Sequence, residues 1–187
     1  MKKTIIDRYE KTEIGQVIVD VSIDSIEHLY HDFDKTAPYY RKELDQEFVD
    51  YLTESIREIG KHPFIIRISL EKMPDETSIE RVRKSLNSYY IYLKEIETRS
   101  LKFIFRRFII LFAAGLVFLI FAILASRKLS LNRGVVAEVF IQGMTIAAWI
   151  SLWESLVNMF LDWPPRRGTM RLYNRIIHSQ VIFRHRQ

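Results

Sequence analysis

The chain has 187 residues and no cysteine, with 28 Lys+Arg against 23 Asp+Glu and a formal net charge of +5. That length leaves room for one modest domain beside any membrane segment. The missing cysteines exclude disulfides, thiolate metal sites and cysteine nucleophiles.

The charge is divided unevenly. Residues 1–98 hold 20 acidic and 15 basic side chains, whereas residues 99–187 hold 3 and 13. An acidic half is joined to a basic, apolar one. The basic residues flank hydrophobic segments and do not line one soluble face, so anionic lipid headgroups are the expected partner and nucleic acid is not.

In chain order, MKKTIIDRYEKTE has two lysines but no apolar stretch behind them, which is not the pattern of a cleavable signal peptide. The first membrane helix is then its own insertion signal. Residues 15–23, GQVIVDVSI, alternate Val17, Val19 and Val21 with other residues and read as a strand. A short helical turn is expected near Ile26–Tyr30. A polar, aromatic connection containing Pro38 follows.

Asp45 is placed to cap a helix over 46–59, whose Phe48, Leu52 and Ile56 share one face. Gly60 is a natural stop. Residues 63–72 alternate Phe64, Ile66, Ile68 and Leu70 with polar positions, a second strand. Thr77 and Glu80 form a capping box for a third helix, with Val82, Leu86 and Tyr90 on its apolar face. No Gly or Pro interrupts Asn87 to Ala114, so this helix is expected to run on into the membrane. Two strands make a very small sheet. A third is available from residues 1–13, from 179–184 or from another subunit.

Phe108 to Ser126 are 19 consecutive uncharged residues. As a helix they extend roughly 28 Å, close to the ~30 Å hydrocarbon core of a bilayer. A first span is therefore expected over 103–125 and a second over 136–161, with Pro164 and Pro165 ending it. The N-side and C-side flanks of the apolar pair hold ten Lys/Arg, Arg106, Arg107, Arg166 and Arg167 among them, and the link 127–134 holds three. The positive-inside rule then puts both termini in the cytoplasm. Trp149, Trp153 and Trp163, with those arginines, are expected to anchor the membrane interface.

Glu154 is the one charge expected near the apolar layer. At 100° per residue Ser151, Glu154, Ser155, Asn158 and Asp162 form one polar stripe. An intramembrane carboxylate is a functional candidate, but Glu154 can equally stay solvated or pair with Arg106 or Arg107. Gly143 and Ala147 are a small-xxx-small pair that permits close helix packing.

No phosphate-binding glycine loop, dinucleotide fingerprint, zinc-protease helix or serine elbow occurs. His28, His31 and Asp34 (with Asp32) are weak metal candidates, more plainly read as a solvated helix end and loop. No metal or cofactor is expected. Tyr39, Tyr40, Tyr89, Tyr90 and Tyr92 are read as packing and interface residues. The tail 164–187 mixes Arg with apolar residues and is read as a basic cytosolic segment able to lie on headgroups.

Two segments, Val21–Leu52 and Glu138–Pro165, resemble a family of uncharacterised bacterial membrane proteins. The first carries a short helix, an acidic connection with Pro38 and the Leu44-Asp45 helix start. In the second the matching positions are Glu138, Trp149, Trp153, Asp162, Trp163 and Pro165. Glu154-Ser155 stand where the family often has Arg-Pro, and Val157 where it has Glu. The resemblance implies a cytosolic α/β module followed by two spans, and it implies no activity.

The expected fold is α+β, a small β-α-β-α cytosolic domain over 1–100 plus a two-helix transmembrane hairpin over 101–163. The expected function is a non-enzymatic, inner-membrane interaction or scaffold module, assembled as a homo-oligomer or with a cytosolic protein. The alternative is a subunit of an oligomeric channel or transporter with the polar stripe around Glu154 facing its lumen.

Overall fold

A computed structural model describes residues 5–30, 44–128 and 134–186. The protein is mostly helical, with a small three-stranded parallel sheet and two long apolar helices. It divides into two compact units, residues 1–95 with 170–187, and residues 96–169.

The first unit is built on a sheet of β1 (Val17–Ile23), β2 (Phe64–Leu70) and β3 (Gln180–His185), in that spatial order. All neighbours are parallel, with Val19 opposite Ile66 and Ile66 opposite Val181. Both strands expected from valine and isoleucine alternation are present. The third comes from the chain's last residues, where Val181, Ile182 and Phe183 supply β-branched and aromatic side chains.

One phase of the sheet, Val17, Val19, Val21, Ile66, Ile68 and Val181, enters the core. Against it pack α1 (Gln46–Ile59), the first turns of α2 (Glu76–Lys128) and part of α4 (Trp163–Ile177). Their contributions include Leu52 and Ile56, Val82, Leu86 and Tyr90, and Leu172 and Ile176. Full burial of an aliphatic side chain is worth about 1.5–3 kcal/mol, so the segment after the apolar helices is an integral part of this core. That corrects the expectation of a tail lying on lipid headgroups. Polar contacts hold the same segment in place. Asn87 donates to the Ile177 carbonyl at 3.1 Å, and Lys94 reaches Asn174 at 2.6 Å. Arg83 donates to the Val181 carbonyl at 3.2 Å.

Local signals explain the helix ends. The Asp45 carboxylate accepts from the amides of Glu47 (2.9 Å) and Phe48 (3.2 Å), satisfying two of the donors a helix start leaves open. Gly60, at φ +65°, ends α1 in a backbone region that disfavours a side chain. Arg175 of α4 then donates to the Gly60 carbonyl and to that of His62 (2.6 Å), and its guanidinium lies 5.0 Å from the centre of the Phe64 ring. This arginine, expected only as a topology-setting charge, closes the α1–β2 turn. α2 begins at Glu76, one residue ahead of the expected Thr77 cap, and the Thr77 hydroxyl donates to the Asp75 carboxylate.

The second unit contains the rest of α2, α3 (Val135–Val157) and a π-helical turn over Asn158–Asp162 that leads into α4. α2 is one helix of 53 residues and passes well beyond the expected 103–125 span. α3 and α2 run antiparallel, because Gly115 lies against Ala148 and Leu152, Arg107 against Glu154, and Glu97 against Arg166.

Pro164 and Pro165 do not end the second apolar helix, contrary to expectation. They occupy the second and third positions of α4. A proline lacks the N–H that an interior position needs and clashes with the carbonyl four residues back. The wider π turn just before them gives the rings room, and the first turn of a helix has no use for those N–H groups.

Glu76–Lys128 and Val135–Ile177 are both long and apolar enough to cross a membrane, and only 11% and 6% of their most apolar windows are buried. The apolar helix of a soluble core would be mostly buried; here Phe103, Ile110, Val117, Ile120, Trp149 and Ile150 are all exposed.

Candidate functional site

Inside the helical pair, the polar stripe divides by depth. Ser155 is fully buried and its hydroxyl donates to the Leu152 carbonyl at 2.6 Å. Asn158 is 2% exposed and donates to the Glu154 carbonyl at 2.7 Å. Ser151 is half-buried and bonds the Ala147 carbonyl at 2.8 Å. These three therefore satisfy themselves on their own helix, as short polar side chains do in apolar surroundings. Asp162 is exposed.

Glu154 accepts from Arg107 across the helix pair at 3.1 Å. The Asn158 side-chain amide stands 3.4 Å from the same carboxylate oxygen. Of the two arginines weighed as partners, Arg107 is the one engaged. A second ion pair, Arg166 to Glu97 at 3.4 Å, lies further along the same two helices.

Between these pairs runs a cleft of about 760 Å³. α2 gives it Arg99, Phe103 and Arg107; the π turn and α4 give it Asn158, Leu161 and Arg166. A spacing of four residues, Arg99–Phe103–Arg107 on α2 and Asn158–Asp162–Arg166 on the other side, places these groups on one face of each helix. The Asp162 carboxylate is also in the lining. The cleft thus combines guanidinium groups, one carboxylate and apolar walls. Sequence reasoning found Arg107, Arg166, Asn158 and Asp162 but missed the cleft, because its walls come from two segments far apart in the chain.

Between α2 and α3 the close contact is made at Gly115, not at Gly143. Among the described residues nothing lies within 4 Å of a Cβ built on Gly143, whereas one on Gly115 would fall 2.8 Å from Leu152 Cγ and 3.2 Å from the Ala148 carbonyl oxygen. Gly115 is the small residue that lets the two helices approach. Among the expected anchors, Trp149 and Trp153 are each 69% exposed, and Arg106 is exposed. Trp163 is half-buried under Arg167, whose guanidinium sits 4.8 Å from its ring centre.

In the α/β unit, the face of the sheet opposite the core holds an ionic network. Arg67 on β2 donates to Asp20 on β1 at 2.9 and 3.1 Å and to Glu10 at 2.7 Å, and Ser69 donates to Asp20 at 3.0 Å. The Arg67 side chain is only 10% exposed. Its hydrogen bond holds the Asp20 carboxyl below its ordinary value of 3.8, against a smaller opposing effect of burial, and Ser69 adds to the lowering. Asp20 and Arg67 are register partners, a fact the alternation of each strand alone could not reveal. The buried Tyr90 hydroxyl is pushed above its ordinary 10.0 by desolvation. A polar hollow of about 430 Å³, lined by Asp50, Tyr51, Glu54, Arg57 and Tyr173, lies beside α1.

His28 is exposed; His31 and Asp34 lie outside the described residues, as do Tyr39 and Tyr40. No group of three or more His, Cys, Asp or Glu positioned to hold a metal occurs among the described residues. No protein-family model matches the chain, and no curated protein or solved structure is significantly similar to it.

Proposed function

We propose that this chain is an integral membrane protein that crosses the inner membrane twice and holds a non-enzymatic α/β interaction module on the cytoplasmic side. The observation that carries the reading is the pairing of β3 with β2. Residues before the first apolar helix and after the second build one sheet and one core. A chain arranged so must cross the bilayer an even number of times. The ten Lys/Arg flanking the helices outside the link, against three within it, favour the cytoplasm for the module.

The module's partner is a cytosolic protein or a second copy of the chain. The stripe residues Ser155 and Asn158 are buried and bonded within their own helix, which favours an anchoring over a lumen-lining role. The test is purification from membranes in mild detergent with mass measured in solution. An oligomer or a stoichiometric co-purified protein is expected; a strictly monomeric chain with no partner would overturn the scaffold reading.

A further inference from the structure

We propose that the cleft between α2 and the π turn is a binding site for one anionic phospholipid with a hydroxylated headgroup. The inference rests on the membrane reading above and adds a specific ligand to it.

Three guanidinium groups, those of Arg99, Arg107 and Arg166, line the cleft beside one carboxylate, Asp162. Two further carboxylates touch it from outside, Glu154 on Arg107 at 3.1 Å and Glu97 on Arg166 at 3.4 Å. Each guanidinium has five donors in a planar fork, and each of these contacts occupies a single Nη atom. On Arg107 and Arg166 donors remain for a phosphodiester, for which arginine geometry is well matched. Asp162 repels a bare phosphate but accepts from a hydroxyl, so a headgroup bearing a polyol fits better than inorganic phosphate. Phe103 is 68% and Leu161 66% exposed, and both give the cleft apolar walls on which acyl chains can lie. An amphipathic cleft of this kind at the end of an apolar helix suits a molecule with both parts.

The experiment is thermal unfolding of the full-length protein in detergent, titrated with short-chain phosphatidylglycerol, with phosphatidylcholine or phosphatidylethanolamine of the same chains, or with inorganic phosphate. Phosphatidylglycerol is expected to raise Tm by about 5 °C at saturating concentration, and the other probes by much less. The double variant Arg99→Gln/Arg166→Gln is expected to weaken its binding about tenfold or more. An equal shift from phosphatidylcholine, from phosphatidylethanolamine or from inorganic phosphate overturns the proposal, as does full retention in the double variant. If the double variant loses its cooperative melt, Glu97→Gln decides. Relieving Arg166 of its carboxylate must tighten phosphatidylglycerol binding, and unchanged or weaker binding overturns the site. A chain that needs detergent but shows no lipid preference removes this site alone; one that is soluble without detergent removes the membrane reading as well.

Discussion

Ile68 on β2 and Phe183 on β3 are parallel register partners, although both apolar helices lie between them in the sequence. The pairing makes the apolar pair an insertion within one α/β unit, and not an anchor appended to its end. β1 and β2 both precede the helices, but the sheet is not complete until the chain has passed through both of them. On the proposed two-span reading, folding of the α/β unit is tied to insertion of the helices, because the last strand could not reach β2 from the far side of a bilayer.

Gly115 tests the packing of the helical pair. Gly115→Leu puts a side chain where a Cβ alone would fall 2.8 Å from Leu152 Cγ, and overpacking of this kind costs about 1–3 kcal/mol. Gly143→Leu, with nothing within 4 Å among the described residues, is expected to cost almost nothing. Reversible unfolding in mixed micelles separates the two. Equal losses would contradict the placement of the close contact at Gly115.

The Arg107–Glu154 pair, at 3.1 Å, is tested by a double-mutant cycle. Arg107→Gln and Glu154→Gln are each expected to destabilise the helical pair, and the double variant less than their sum. Directly bonded residues couple by about 0.5–3 kcal/mol. Additivity within measurement error would show that the pair does not join the helices.

Asp20 sets a pH dependence. Its folded pKa lies below its ordinary value of 3.8 because of Arg67. Its stabilising contribution is therefore complete above the ordinary carboxylate range and is lost as pH falls through the folded value. Asp20→Asn is expected to destabilise the α/β unit by about 1–2 kcal/mol at neutral pH, a modest figure for a buried network because the Asp20 side chain is 44% exposed. The gap between parent and variant should narrow as the medium is acidified below pH 4. A gap that is constant from pH 7 to pH 3 in urea titrations would contradict the role given to this carboxylate.

Much of this architecture is legible in the residues, and what is not has identifiable causes. Val17, Val19 and Val21 and the Phe64–Leu70 alternation declare their strands, since period two is a local property. Asp45 and Gly60 declare the ends of α1 for the same reason. The 19 uncharged residues from Phe108 announce a long apolar helix. The partner of a strand, however, is a long-range fact. Residues 179–184 are one of three sources open for a third strand, beside 1–13 and another subunit, and nothing within VIF and its flanking charges favours them over the others. Pro164 and Pro165 misled because a proline pair normally stops a helix, and the π turn that accommodates them has no recognised signature. Glu154 was visible as an unusual charge, but the choice of Arg107 over Arg106 depends on the rotation of α2 against α3. The cleft is invisible to pattern reading because its walls come from two distant segments.

The central claim is that the residues before and after the two apolar helices share one side of the membrane. The chain has no cysteine, so single introduced thiols report accessibility without background. Ser22→Cys on β1, Gln180→Cys on β3 and Gly134→Cys before α3 all replace exposed residues. In intact spheroplasts a membrane-impermeant maleimide is predicted to label position 134 alone, and positions 22 and 180 only after the membrane is opened. Labelling of 22 and 180 from opposite sides, or recovery of the chain in the supernatant without detergent, would contradict the account.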